Sequence, residues 1–379
     1  MGARTRGLAN NVLTGGKIDA TDGVSGVIDE ANIANSSLTS ATTFGSVSGG
    51  VSSVSSDPPS PSVGNAWYNT TAGTLKFRAD IGSWSSGGNV NTTRAFGMGA
   101  GTTDANLYYG GSAAPTYYAQ TELYNGTSWT EVADLNTYRG SAGGMGTSTA
   151  ALCAGGRVSR PTDTAASEEW DGSSWTEGND LNSERYSIAN KGAGTQTAGL
   201  CAGGRNKGPG SYDALTEEYD GTSWTEVNDM PAGVESASGL GTQTAAGVWG
   251  GYTGSYRATG VLYDGTNWTT TTDFPYASGS ASESGTTSAG LLFGIYNSPA
   301  DSYVADTLSW DGTNFSGEGD LSTARGGGGG PKAALNSATS GIMVSGKTDP
   351  GTSNATEEWA IAEATTEIGG TGISSGAGY

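Results

Sequence analysis

Short apolar runs closed by glycine recur along the chain: AALCAGG ahead of Arg157, AGLCAGG ahead of Arg205, AAGVWGG ahead of Tyr252 and GLLFG ahead of Ile295. Runs of this length suit strands and are too short for helices. A polar and aromatic signature follows each run. TELYNGTSWTEVADL from Thr121 returns as SEEWDGSSWTEGNDL from Ser167, TEEYDGTSWTEVNDM from Thr216, GVLYDGTNWTTTTDF from Gly260 and TLSWDGTNFSGEGDL from Thr307, and a sixth copy, TEEWA from Thr356, breaks off. The terminal aromatics Trp84, Trp129, Trp175, Trp224, Trp268 and Phe315 lie 45, 46, 49, 44 and 47 residues apart. A period of that size means one supersecondary unit used repeatedly.

Within each unit a Gly-Thr step precedes a Gly-Gly step by eight residues, as from Thr102 to Gly110, Thr147 to Gly155, Thr195 to Gly203 and Thr242 to Gly250. The fifth copy, Thr286 to Gly294, has Ile295 for its second glycine, and the sixth degrades to Ser337 and Ser345. Constant separation predicts a tight hairpin. Asp-Gly or Asn-Gly between the aromatics predicts another, with both turn residues at positive φ. Each unit reads as four strands: a small-residue strand a, an apolar strand b, a strand c ending in Tyr124, Trp170, Tyr219, Tyr263, Trp310 or Trp359, and a strand d opening on the terminal aromatic. Four-stranded antiparallel units at this period are propeller blades. Strand a, as in RGSAGGMGT, is small enough to line a central channel, and both aromatic slots are expected to pack between blades. The last unit has no turn or terminal aromatic after Trp359, while Trp84 opens a d-like strand with no blade before it. Two closures are open: Ile81 to Trp84 beside TEEWA, or Ala360 to Ile368 as a strand d of its own.

Composition narrows the chemistry. The 65 glycines among 379 residues do not fall at every third position, and 34% hydrophobic residues with ten tryptophans predict a chain that folds. Net charge −20 disfavours nucleic acid and anionic lipid as bulk partners. Without histidine, the commonest general base and metal imidazole are missing. Cys153 and Cys201 fill the apolar strand-b slot held elsewhere by Tyr108, Val248, Leu292 and Met343, and are expected to be buried thiols. No run of 18 apolar residues occurs, and MGARTRGLANNVLTGG lacks an apolar core, so a soluble product with no membrane insertion and no secretory signal is expected. No cofactor is expected.

The double glycine followed by a Tyr slot and a Trp slot resembles the kelch repeat, over residues 84 to 364. This implies an all-β fold, a six-bladed kelch-like β-propeller, and by itself no function. Ahead of the repeats, GNAWYNTTAGTLKF (Gly64 to Phe77) resembles the short hairpin beside the shafts of bacteriophage tail fibres, and LANNVLTGGKID and IDEANIANSSL resemble the amino-terminal attachment segments of such fibres in marine phages. The resemblance implies a virion structural protein, a tail-fibre or adhesin subunit on the particle. Its extended amino-terminal attachment arm would dock on other tail or capsid proteins, and its propeller would meet a host-surface glycan. The domains are then 1–63, arm and linker closing on the Pro/Ser-rich SSDPPSPSV; 64–88, connecting hairpin and ring-closing strand; 89–365, propeller; and 366–379, a Gly/Ser-rich tail. ANIANSSLTSATTFGSV alternates small apolar and polar residues as intertwined fibre strands do, so a homotrimer is expected. The alternatives are a cellular kelch interaction module and a carbohydrate-active enzyme.

Repeated carboxylates invite catalytic readings that their pattern disfavours. Asp134, Asp180, Asp229, Asp273 and Asp320 recur five residues past the terminal aromatic and could ring a divalent cation. Arg94, Arg139, Arg185 and Arg325 recur at ten past it, so turn capping or Asp–Arg pairing is expected instead. Glu168-Glu169, Glu217-Glu218 and Glu357-Glu358 would suit a glycosidase, but strand neighbours point to opposite faces and a pair repeated in three blades reads as structural. The DGTSW turn is similar to the Asp-box of sialidase propellers but departs in spacing, with no separate arginine triad. Kelch-fold copper oxidases need histidine ligands. No catalytic residue and no metal site is assigned, and the sequon at Asn125 is read as turn chemistry.

The two ends of the blades differ. The a-to-b and c-to-d turns are uniform, whereas the b-to-c loops vary, from GGSAAPTYYAQ to GGRVSRPTDTAA, GGRNKGPGSYDAL and GGYTGSYRA. Six of the 17 basic residues lie there, with seven tyrosines that include Tyr252, Tyr296 and Tyr303. Variable loops on a rigid scaffold are where binding resides. The glycan-binding candidates are Tyr117, Tyr118, Arg157, Arg160, Arg205, Lys207, Tyr212, Tyr256 and Arg257, a basic and aromatic patch on which an anionic lipopolysaccharide could land. The competing reading is a set of solvated loops.

Overall fold

The computed structural model describes residues 52–61, 65–189, 191–206, 211–329 and 338–368. Among them every regular element is a strand, and six small sheets stand as the blades of a six-bladed β-propeller. The chain divides into two compact units: the propeller at Ser83–Ala360, and a smaller unit joining Met1–Gly82 with Ile361–Tyr379. Most of the expected attachment arm, residues 1–51, and the tail from 369 lie outside the described residues.

Blade two shows the plan. Gly143–Thr147, Ala150–Ala154, Ser167–Trp170 and Trp175–Glu177 pair antiparallel in that order. Inner strands of successive blades neighbour one another around the axis. The a-to-b turn demands glycine. Gly101, Gly146, Gly194, Gly241 and Gly285 sit at φ between +102° and +122°, where a Cβ would lie 2.1–2.4 Å from the carbonyl oxygen of the returning alanine.

The c-to-d turn differs from the expected two-residue type. Only its glycine is left-handed, as at Gly172 (φ +95°), while the Asp171 carboxylate accepts the backbone N–H groups of Ser173 and Ser174, both at 2.8 Å. Asn125, Asp220, Asp264 and Asp311 do the same. Four residues separate the paired aromatics, so the side chain closes an Asx turn and needs no positive φ itself. Bonds from the Ser173 hydroxyl and the two backbone amides hold the Asp171 carboxyl down, to about 2.

Blades are joined by polar pairs set in aromatic packing. Trp175 lies 4.8 Å from Tyr109 of the preceding blade, and its indole N–H donates to Thr121 at 3.0 Å. Trp129, Trp224, Trp268 and Trp84 donate in the same way to Thr356, Ser167, Thr216 and Thr307, at 2.8–3.1 Å. Phe315, with no N–H to donate, follows the one blade that has no hydroxyl at the acceptor position of strand c, where Gly260 stands. The second glutamate of each pair, Glu169, Glu218 or Glu358, accepts the phenol of Tyr219, Tyr263 or Tyr124 on the next blade.

The first glutamate faces the other way, into a buried ion pair. Arg94–Glu122, Arg139–Glu168, Arg185–Glu217 and Arg325–Glu357 are 2.5–2.8 Å apart and almost wholly enclosed. This corrects the Asp–Arg alternative. Asp134, Asp229, Asp273 and Asp320 instead accept the backbone N–H of Thr121, Thr216, Gly260 and Thr307 at 3.1–3.4 Å. In blades four and five both partners change together, to Val234 with Val261 and to Ser278 with Leu308. A lone buried charge is costly, whereas an uncharged pair in its place leaves no charge unpartnered.

Of the two closures, the ring takes the amino-terminal strand. Thr74–Ser86 lies beside Gly351–Ile368, which runs on without turning. Trp84 packs at 5.5 Å from Trp359 and 4.8 Å from Phe293. Cys153 and Cys201 are free and buried, and burial lifts both thiols to about 12.

In the smaller unit Ala66–Asn69 and Thr74–Phe77 form the expected hairpin, and Ser52–Val54 adds a parallel strand to it. The Pro/Ser-rich stretch that reads as a linker is pinned there. Asp57 accepts from Lys76 at 2.7 Å, Asn69 at 2.7 Å and Trp67 at 3.0 Å, bonds that hold its carboxyl down, to about 2.

Arg139→Val or Glu168→Val alone should lower the unfolding free energy by about 3–5 kcal/mol, and the double change by clearly less. Urea titration of the three variants measures this; a double variant as unstable as the sum of the singles would contradict it.

Candidate functional site

The d-to-a and b-to-c connections emerge on one face of the propeller, and two features there are candidates: the axial cavity and the loop rim. Around the axis, the twelfth residue after each terminal aromatic adopts positive φ: Phe96, Ser141, Ser187, Ser236, Ser280 and Gly327, between +50° and +62°. Each donates its N–H to the carbonyl of its counterpart in the preceding blade, with Phe96 donating back to Gly327, in a closed circle of bonds 2.6–3.0 Å long. The circle rims a cavity of about 40 Å³ walled by Phe96, Met98 and Ile188, room for a few waters at most.

Lys191 also lines that space. The segment from Arg185 to Thr195 is two residues longer than its counterpart from Arg139 to Thr147, and the extra length lays Lys191 across the channel at φ +49°. Its ammonium donates to the carbonyl of Ala281 and lies 3.8 Å from the Glu283 carboxylate of blade five. Burial lowers the amine from 10.5 to about 7. The axis is therefore braced from within.

The rim carries the more extensive feature. Tyr212, Tyr252, Tyr256, Tyr296 and Tyr303 form an unbroken run of ring contacts, with centroids 5.8, 5.1, 4.8 and 5.4 Å apart. The fold places each one. Tyr212 faces Arg205 across the strand pair of blade three, Tyr252 is bonded to Glu235 on one side and Tyr256 on the other, and Tyr296 is held between Gly279 and Tyr303. All five are half-buried. At the blade-three end the run meets Arg205, 5.6 Å from the Tyr212 ring, and Arg205 is bridged to Tyr186, over which Arg157 stacks at 3.4 Å.

The charges of this rim are balanced, which alters the expected basic patch. Arg157 pairs with Asp163 at 2.8 Å and Arg205 with Glu235 at 3.1 Å. Burial raises the Glu235 carboxyl, against the pull of Arg205. At the other end the Tyr296 hydroxyl donates to Asp301 at 2.5 Å, which lifts the phenol to about 12, and the Tyr303 amide donates to Asp349 at 2.8 Å.

Of the nine candidates, Arg157, Arg205, Tyr212 and Tyr256 are built into this belt. Arg257 and Arg160 are exposed, the former donating to Thr253 at 2.9 Å. Tyr117 and Tyr118 belong to the blade-one loop and are half-buried, and Lys207 lies outside the described residues. Tyr252, Tyr296 and Tyr303 stood among the loop tyrosines without being singled out. Tyr186 sits in a d-to-a segment, where only its place beside the recurring Arg185 marked it.

No protein-family model matches the chain, and no curated protein matches its sequence.

Because the Lys191 amine is lowered on folding, the unfolded chain binds the extra proton between about pH 7 and 10.5, and stability rises across that window. Chemical denaturation at several pH values should show wild type gaining on Lys191→Met between pH 7 and 10; parallel profiles would refute the buried amine.

Proposed function

We propose that the chain is a non-enzymatic recognition subunit of a virus particle, a tail-fibre or adhesin component whose propeller engages a host-surface glycan through the loop rim. The observation that carries this reading is the run of five tyrosines in continuous contact, on the face where the loops differ most from blade to blade. Aromatic rings offer sugars a broad apolar face with a polar edge at low entropic cost. The repeated carboxylates, which would be the acids of a hydrolase, are taken up in the frame: first glutamates by arginines, second glutamates by tyrosines, aspartates by backbone amides. Attachment through the amino-terminal arm, and trimerisation, belong to the same proposal and rest on the resemblance of that arm to fibre segments.

Mass spectrometry of purified particles should detect the chain. Tyr256→Ala should reduce adsorption of particles or purified protein to host cells by at least about tenfold, the equivalent of about 1.4 kcal/mol. Arg160→Ala, an exposed site, should leave the unfolding free energy within about 0.5 kcal/mol of wild type. Unchanged adsorption when Tyr252, Tyr256 and Tyr296 are all replaced in a folded protein would move the contact surface elsewhere.

A further inference from the structure

The length and the electrostatics of the tyrosine run together define what it can hold. Five rings from blades three, four and five touch in sequence, so the apolar track extends well beyond one sugar ring. An isolated terminal sugar would cover one or two of them.

Charge selects further. The guanidiniums at the blade-three end are committed to carboxylates, Arg157 to Asp163 and Arg205 to Glu235. At the blade-five end Asp301 and Asp349 flank Tyr296 and Tyr303. Arg257 adds one exposed guanidinium beside Tyr256, set against those two carboxylates. The whole chain carries −20, so a polyanion approaches against both the local and the long-range field. Carboxylates beside an aromatic track are, in contrast, good acceptors for sugar hydroxyls.

Resting on the reading above, we infer that the rim of blades three to five binds an extended, uncharged polysaccharide chain, stacked along Tyr212, Tyr252, Tyr256, Tyr296 and Tyr303 and hydrogen-bonded by the flanking carboxylates. Affinity then grows with chain length and is insensitive to salt, since little of it comes from unpaired charge. This replaces the anionic lipopolysaccharide suggested by the basic residues of the loops.

The test is binding of the purified full-length protein to an array of immobilised neutral and acidic polysaccharides, at low and at physiological salt, with oligosaccharides of graded length as competitors. Signal on neutral polymers is expected, within about twofold at the two salt concentrations, with longer oligomers competing better. It should be lost in Tyr252→Ala and in Tyr212→Ser, two variants so that one remains if the other fails to fold, and kept in Tyr256→Phe. Binding confined to acidic polymers, binding that collapses with salt, or no signal on the array overturns the inference. If host adsorption depends on the belt while the array shows only acidic ligands, the recognition role stands and this inference alone fails. If adsorption ignores the belt, the role itself fails.

Discussion

Six amides closed in a circle about the axis fix the geometry of everything outside them. Phe96, Ser141, Ser187, Ser236, Ser280 and Gly327 each present a left-handed backbone, so that one blade's N–H meets the carbonyl of the blade before it. A left-handed conformation is unfavourable for a residue with a side chain. It persists because all six bonds form together, and opening any one would leave a donor and an acceptor unpaired in a confined space. The circle sets the angular spacing of the blades, and Lys191 braces it from within through its bond to Ala281.

Outward from that circle the blades hold one another through polar groups enclosed in aromatic packing. Each class of pair obeys a rule of satisfaction. Indole N–H groups meet hydroxyls, and where the indole is replaced by Phe315 the hydroxyl gives way to Gly260. Buried arginines meet buried glutamates, and where one is lost, at Val234 or Ser278, the other is lost as well, at Val261 or Leu308. The copies within a single chain thus record which residues depend on each other, because an unpaired buried charge or donor costs more than the pair contributes. Closure by Trp84 brings the segment before the first blade under the same rule through Thr307.

A frame held by these repeated pairs leaves its loops free to differ. The a-to-b and c-to-d turns cannot vary much, since they hold glycines where a Cβ would strike backbone and aspartates that cap amides. The b-to-c loops carry no such constraint, and in blades three to five they supply tyrosines that meet although they come from unlike loops. Variation in this protein is concentrated in that rim, and rigidity is a property of the repeat.

The sequence by itself determined the blade. Its period, its glycine steps and its alternating glutamates are local signals, readable because a strand shows one side chain inward and the next outward, and because a tight turn admits few residues. The paired losses of Arg and Glu in blades four and five were also legible in the repeats, although Asp lay nearer to Arg along the chain and invited the wrong partner. Three matters were left to tertiary structure: which of two segments closed the ring, how the twelfth residues past the aromatics joined in a circle, and how five tyrosines from three blades came into contact. Each depends on groups brought together from separate blades, and spacing along one chain does not specify direction in space. The same holds for charge. Arg157 and Arg205 read as a basic patch in one dimension, and only the folded loops set Asp163 and Glu235 against them.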